Sequence, residues 1–196
     1  MSAQFSLVTA FSNAVDGGNP AAVVFIDMTT PVDTFKQIAT NFNEPITCFV
    51  SATPLPSNAQ KTVAFNVRWF TVNKSETPLC GHGTLAAAKA VFDKDDVPKD
   101  TELIEFHTLT RGVMKARRLL GGFIEIELPS GKTVDVSAEE HARNSRLVNR
   151  AIGKEVAIDR ILAGVDAFES YLLFVLDEKE NLENLSINAT PLVSIH

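Results

Sequence analysis

Glu76-Thr77-Pro78-Leu79-Cys80-Gly81-His82-Gly83-Thr84-Leu85-Ala86-Ala87-Ala88 sets a thiol, an imidazole and two glycines at the opening of an alanine-rich run. The stretch reads as a turn that feeds a helix. Glycine permits close backbone approach, and the first amides of a helix have no intrahelical acceptor while its positive end lies behind them. Such a turn can hold a carboxylate or an enolate-like anion. The same field favours Cys80 as thiolate, which makes proton chemistry at carbon a candidate activity. From Gly83 to Phe92 only Lys89 is charged, so the helix is apolar nearly all round and is expected at the centre of the fold.

Upstream, residues 5–11 and 21–26 are short apolar runs separated by Asp16-Gly17-Gly18-Asn19-Pro20, the pattern of a hairpin. Thr30 is the expected cap of a helix with Pro31 at its first position, carrying Phe35, Ile38, Ala39 and Phe42 on one face and ending near 41–43. Residues 46–50 read as a buried strand and 54–58 as a loop. Val63, Phe65, Val67 and Trp69 then alternate with Ala64, Asn66 and Arg68 as in a half-buried strand.

Downstream, residues 103–108, 112–118 and 123–128 suggest an antiparallel meander turned at Arg111-Gly112 and Gly121-Gly122. Pro129-Ser130-Gly131 is the clearest boundary, dividing the chain into 1–131 and 132–196. Beyond it, Ser137 with Glu140 forms a capping-box pattern for a helix to about Ile152. Strands near 156–163 and 171–176 and a short helix over 178–185 complete the reading, in which the sheets are largely antiparallel and the fold class is α+β.

With 45% hydrophobic and 21% charged residues among 196, the composition is that of a soluble globular protein. A net charge of −6 and a pI near 5.2 argue against nucleic acid or an anionic membrane as main partner. Arg143, Arg146 and Arg150 have the spacing of a solvated helix face. Two cysteines, Cys48 and Cys80, imply no disulfide framework, although one bridge stays open; a reducing, cytoplasmic setting is expected. Residues 1–11 lack a leader's basic and apolar regions, and no run reaches bilayer-spanning length. The Asn-x-Ser/Thr matches at Asn73, Asn184 and Asn188 are then chance occurrences.

Three motifs in order carry a resemblance: Asp16-Gly17-Gly18-Asn19-Pro20-Ala21-Ala22-Val23-Val24, Asn43-Glu44-Pro45-Ile46-Thr47, and Phe70-Thr71 followed by the stretch from Glu76 to Leu85. They resemble the phenazine-biosynthesis PhzF-like family, which shares its fold with diaminopimelate epimerase and proline racemase. The resemblance covers the first 130 residues specifically and the remainder diffusely. It implies two pseudo-twofold-related domains, each an antiparallel sheet wrapped around a central helix, with the active site in the cleft between them. No cofactor is implied.

By the same resemblance Glu44 matches the family's proton-shuttling glutamate, a task that needs a site dry enough to raise a carboxylate's pKa. Taken alone, Glu44 would be an exposed loop carboxylate. Cys80 matches the cysteine that is one of two opposed bases in the epimerase relatives, or else it is a small packing residue; Cys48 reads as core. His82 matches a histidine beside the substrate, and Asn19, Gly81, Gly83 and Thr84 match substrate-contacting positions. The implied partner is a small carboxylate-bearing molecule.

Asn43, Pro45 and Val72 depart from the family pattern, which bears on the substrate. An Asp-Pro-x-x-Gly-Ser-like motif expected in the second domain does not occur before His196, so that domain reads as incomplete. Two functions are expected from this: a cofactor-independent isomerase, or an inactive shortened member that binds or dimerises, with apolar surface covered in a homodimer. Scattered His82, His107, His141 and His196 give no metal spacing, and no Gly-x-Ser-x-Gly elbow is present.

Overall fold

The computed structural model describes residues 3–12, 14, 16–54, 61–169 and 171–194. The chain divides into two units, Met1–Pro129 and Ser130–His196. In the first, β1 (Gln4–Ala10) and β2 (Asn19–Phe25) form the expected antiparallel hairpin, with Ala10 opposite Asn19. Helix α1 (Val32–Phe42) crosses to β3 (Ile46–Thr53), which lies parallel to β2. Pro31 itself occupies the N-cap, without a side-chain bond. Thr30 is not the cap because the first carbonyl to accept from the helix is that of Pro31, bonded by the Thr34 and Phe35 amides at 2.9 and 3.4 Å.

β4 (Thr62–Thr71) runs antiparallel to β3, and a two-residue strand β5 (Glu76–Thr77) folds back on it. Helix α2 (Gly81–Asp93) then crosses to β6 (Leu103–Thr108), parallel to β4, and the meander continues through β7 (Val113–Arg118) and β8 (Ile124–Glu127). The sheet order is β1-β2-β3-β4-β6-β7-β8, with β5 attached to β4. Both ends of that path, β1 and β8, touch α2, so the sheet curls around the helix. The alanine-rich composition explains the placement: Ala86, Ala87, Ala88 and Val91 are fully buried, and short side chains let the surrounding strands come close on every side.

The alternation along β4 sorts its two faces. Phe65, Val67 and Trp69 join the core around α2, whereas Phe70 packs outward with Val24, Phe49, Phe35 and Ala39 under α1. The Phe35, Phe49 and Phe70 rings lie 4.6–5.7 Å apart in tilted and edge-on contacts.

The second unit has an antiparallel sheet in the order β11-β10-β9, made of β9 (Thr133–Asp135), β10 (Ile158–Gly164) and β11 (Leu172–Leu176), together with helix α3 (Ala138–Ile152). The Ser137–Glu140 capping box forms with both reciprocal bonds. Arg143, Arg146 and Arg150 lie on α3 and all three are exposed, as expected of a solvated face. The helix expected over 178–185 is only a 3-10 turn at Leu182–Asn184. Competing local bonds account for this: Glu180 closes a turn on the Asp177 carbonyl, and its carboxylate is drawn to the Ala157 amide. Of the loop expected at 54–58, residues 55–58 lie outside the described residues. No helix among the described residues is long and apolar enough to cross a membrane.

Candidate active site

The site is built where α2 begins. Cys80 is its N-cap in an extended conformation, and no side chain caps the helix. The Cys80 sulfur stands 3.4 Å from Nδ1 of His82. The amides of Gly83 and His82 also face that sulfur and favour its ionised form, but burial acts more strongly and the Cys80 thiol is pushed above its ordinary value. The expected thiolate is therefore corrected: a helix start with two free amides does not offset the loss of water around a half-buried sulfur.

Burial also pushes the His82 imidazole below its ordinary range. Its Nε2 is buried without a hydrogen-bond partner. A neutral ring engaged through Nδ1 and unpartnered at Nε2 is equipped to receive or give one proton at that second nitrogen.

The two glycines differ physically. A Cβ on Gly83 would lie 2.9–3.0 Å from Trp69, Cys48 and Ile46, so this glycine lets α2 rest directly on β3 and β4. A Cβ on Gly81 would meet only Leu128 at 3.6 Å, an ordinary contact. Thr84 is fully buried, and both its amide and its hydroxyl donate to the Cys80 carbonyl, at 2.9 and 2.7 Å. Cys48, fully buried as expected of a core residue, donates from its sulfur to the Gly83 carbonyl at 3.2 Å. Both cysteines are free thiols.

Glu44 and Asn19 come from the sheet. Asn43 ends α1 in the left-handed conformation, turning the chain so that the half-buried Glu44 precedes β3. In the parallel β2–β3 pair Ala21 stands opposite Ile46. Asn19 and Glu44, each two residues earlier, thus lie at the same end of that pair, the end over which Gly83 sits against Ile46. Cys80 and His82 touch; among the described residues no hydrogen bond or ion pair joins Glu44 or Asn19 to them. Nor does any cluster of three or more His, Cys, Asp or Glu among those residues suit a metal ion.

Residues not singled out from sequence support this turn. Arg68 grips Glu76 through two hydrogen bonds of 2.7 and 2.8 Å. The available signal was an arginine in the outward register of β4 and an acid just ahead of the glycine turn.

A family model described as phenazine biosynthesis-like protein, PhzC-PhzF, matches residues 8–195. Phenazine biosynthesis-like domain-containing protein 1 of Mus musculus is 32% identical over 191 residues, which are 96% of this chain and 63% of that protein. A protein of Halalkalibacterium halodurans named an uncharacterized isomerase is 27% identical over 195 residues, 100% of this chain and 65% of its own length. Among solved structures, a phenazine biosynthesis protein of the PhzF family from Enterococcus faecalis superposes with a TM-score of 0.68 at 25% identity, covering 100% of this chain and 65% of that one. The chain thus spans less than two thirds of the length of these relatives, and its fold is the diaminopimelate-epimerase-like α+β architecture that the three motifs implied.

Proposed function

This chain belongs to the phenazine biosynthesis-like PhzC-PhzF family, and from that premise we propose that it is a cofactor-independent isomerase that relocates a proton on a small carboxylate-bearing metabolite. The observation that carries the reading is His82, whose Nδ1 engages the Cys80 sulfur while its buried Nε2 has no protein partner. The isomerase name borne by the Halalkalibacterium relative is in keeping with it.

In this reading Glu44 takes a proton from one carbon and returns it to another, so that a C–H bond breaks, a C–H bond forms, and no electrons leave the substrate. The developing anion is held by the amides at the start of α2 and by His82. Cys80 assists as a thiol, or as a second base when a proton transfer to His82 ionises it. Asn19 anchors the substrate carboxylate from the neighbouring strand. Thr84 acts by fixing the turn, since both its donors are committed to Cys80.

The test is solvent-deuterium incorporation into candidate carbon acids, followed by mass spectrometry, for native protein and Glu44→Gln. Loss of about 100-fold or more in exchange with unchanged folding is expected for removal of a general base. Exchange or turnover that is the same in Glu44→Gln overturns the assignment.

A further inference from the structure

Cys80 and His82 hang from a lead-in that is weakly held by the backbone. β5 has two residues, Glu76 and Thr77, paired only with Phe70 and Trp69. Three residues later comes Cys80. A strand this short contributes too few ladder bonds to fix the turn beyond it.

One side chain compensates. Arg68, in the outward register of β4, donates from Nε to one oxygen of Glu76 at 2.7 Å and from a terminal nitrogen to the other at 2.8 Å. This is the planar fork matched to a carboxylate, which fixes direction as well as distance. The guanidinium is itself held, lying 5.0 Å from the Phe35 ring centroid and 5.2 Å from that of Phe70. Its side chain is 14% exposed and that of Glu76 30%. The clamp is therefore seated in the aromatic cluster beneath α1, and its far jaw is the lead-in to the glycine turn. Two further contacts carry the order along: the Thr77 hydroxyl donates to the Leu79 carbonyl at 3.0 Å, and the Thr40 hydroxyl of α1 is shared between the Lys36 carbonyl at 3.0 Å and the Val72 carbonyl at 3.2 Å.

We propose that Arg68 is a positioning residue for the Cys80–His82 pair, acting through its two-point grip on Glu76 and its seat on Phe35 and Phe70. The inference rests on the proposed site, but it concerns where the turn is held rather than what the turn catalyses. Arg68 touches neither Cys80 nor His82 among the described contacts, and it has no part in moving the proton.

The test compares native protein with Arg68→Met, which keeps an apolar stem on the rings, and Arg68→Lys, which keeps the charge but not the fork. Iodoacetamide labelling of Cys80 is followed against pH and resolved from Cys48 by peptide mass; circular dichroism and melting confirm folding. In Arg68→Met the labelling rate at pH 8 is expected to rise roughly fivefold as the sulfur gains water and its pH midpoint moves down, with Arg68→Lys in between. A native Cys80 profile in a folded Arg68→Met protein overturns the proposal, because a merely stabilising arginine would lower the melting temperature and leave the profile unmoved. If Arg68→Met does not fold, Arg68→Lys decides alone by the same criterion. An active Glu44→Gln protein would end the proposed chemistry without altering this readout, so the two failures are distinguishable.

Discussion

At the residue scale, burial moves two neighbours in opposite senses, the Cys80 thiol up and the His82 imidazole down. The sequence placed a thiol at a helix start, where amides and the helix field favour the anion. Burial, which depends on the strands and on β8 closing around α2, reversed the outcome. Cys80 should therefore label with iodoacetamide at a pH midpoint above its ordinary 9.0, and a midpoint below 8 would contradict the geometry. Because its folded-state value is raised, this thiol's share of stability is present below 9.0 and is lost as pH rises through the folded value. His82 has the opposite sense. The unfolded chain binds its proton more tightly, so stability is greatest above the ordinary 6.5 and declines as pH falls through the lowered folded value. The ring protons of His82 should titrate in NMR with a midpoint below 6.5; replacement by Gln should remove that segment of the stability profile.

At the scale of elements, helical spacing identified α1, an apolar run identified α2, a capping box identified α3, and alternation or short apolar runs between turn residues identified most strands. It did not find β5 or β9, which are two and three residues long and carry no period. It also could not assign direction: β2–β3 and β4–β6 are parallel because a helix intervenes in each crossover, whereas the remaining described pairs are antiparallel. The helix over 178–185 failed because Glu180 has a stronger use at the Ala157 amide. The glycines of the turn give a sharp contrast between neighbours on one element. Gly83→Ala forces a methyl to within 3.0 Å of Trp69, Cys48 and Ile46, and should cost about 1–3 kcal/mol as overpacking. Gly81→Ala makes only an ordinary contact and should leave stability within about 0.5 kcal/mol of native. Denaturant melts of the two variants check this, and equal losses would show that α2 is not seated through Gly83.

At the scale of the whole molecule, the motifs that carried the family likeness all lie in the first unit, where they implied a sheet around a central helix, whereas in the second unit only separate elements were readable, α3 from its capping box and β10 and β11 from their apolar runs. Each unit has one end strand that is protected and one that is not. β8 carries Glu125 and Glu127, both paired with Arg117, and β9 is three residues long. Charge and shortness keep such edges from pairing with other chains. By contrast β1 and β11 contain no charged residue, and Phe5, Leu7, Leu173 and Val175 on them are exposed, as is Tyr171 just before β11. β11 also reads nearly the same in both directions about Phe174, with Leu173 and Val175 to either side and Leu172 and Leu176 beyond. Antiparallel pairing of two copies there would set apolar residues against apolar residues throughout, an isologous contact that needs no second surface. The homodimer expected from sequence would form through this edge. Sedimentation should give twice the chain mass of 21.3 kDa, and Leu173→Lys should return it to the monomer because each lysine would then stand opposite an apolar side chain and diagonal to the other lysine across the twofold axis. A chain that sediments as a monomer at every concentration would refute the dimer, and a dimer indifferent to Leu173→Lys would move the interface elsewhere.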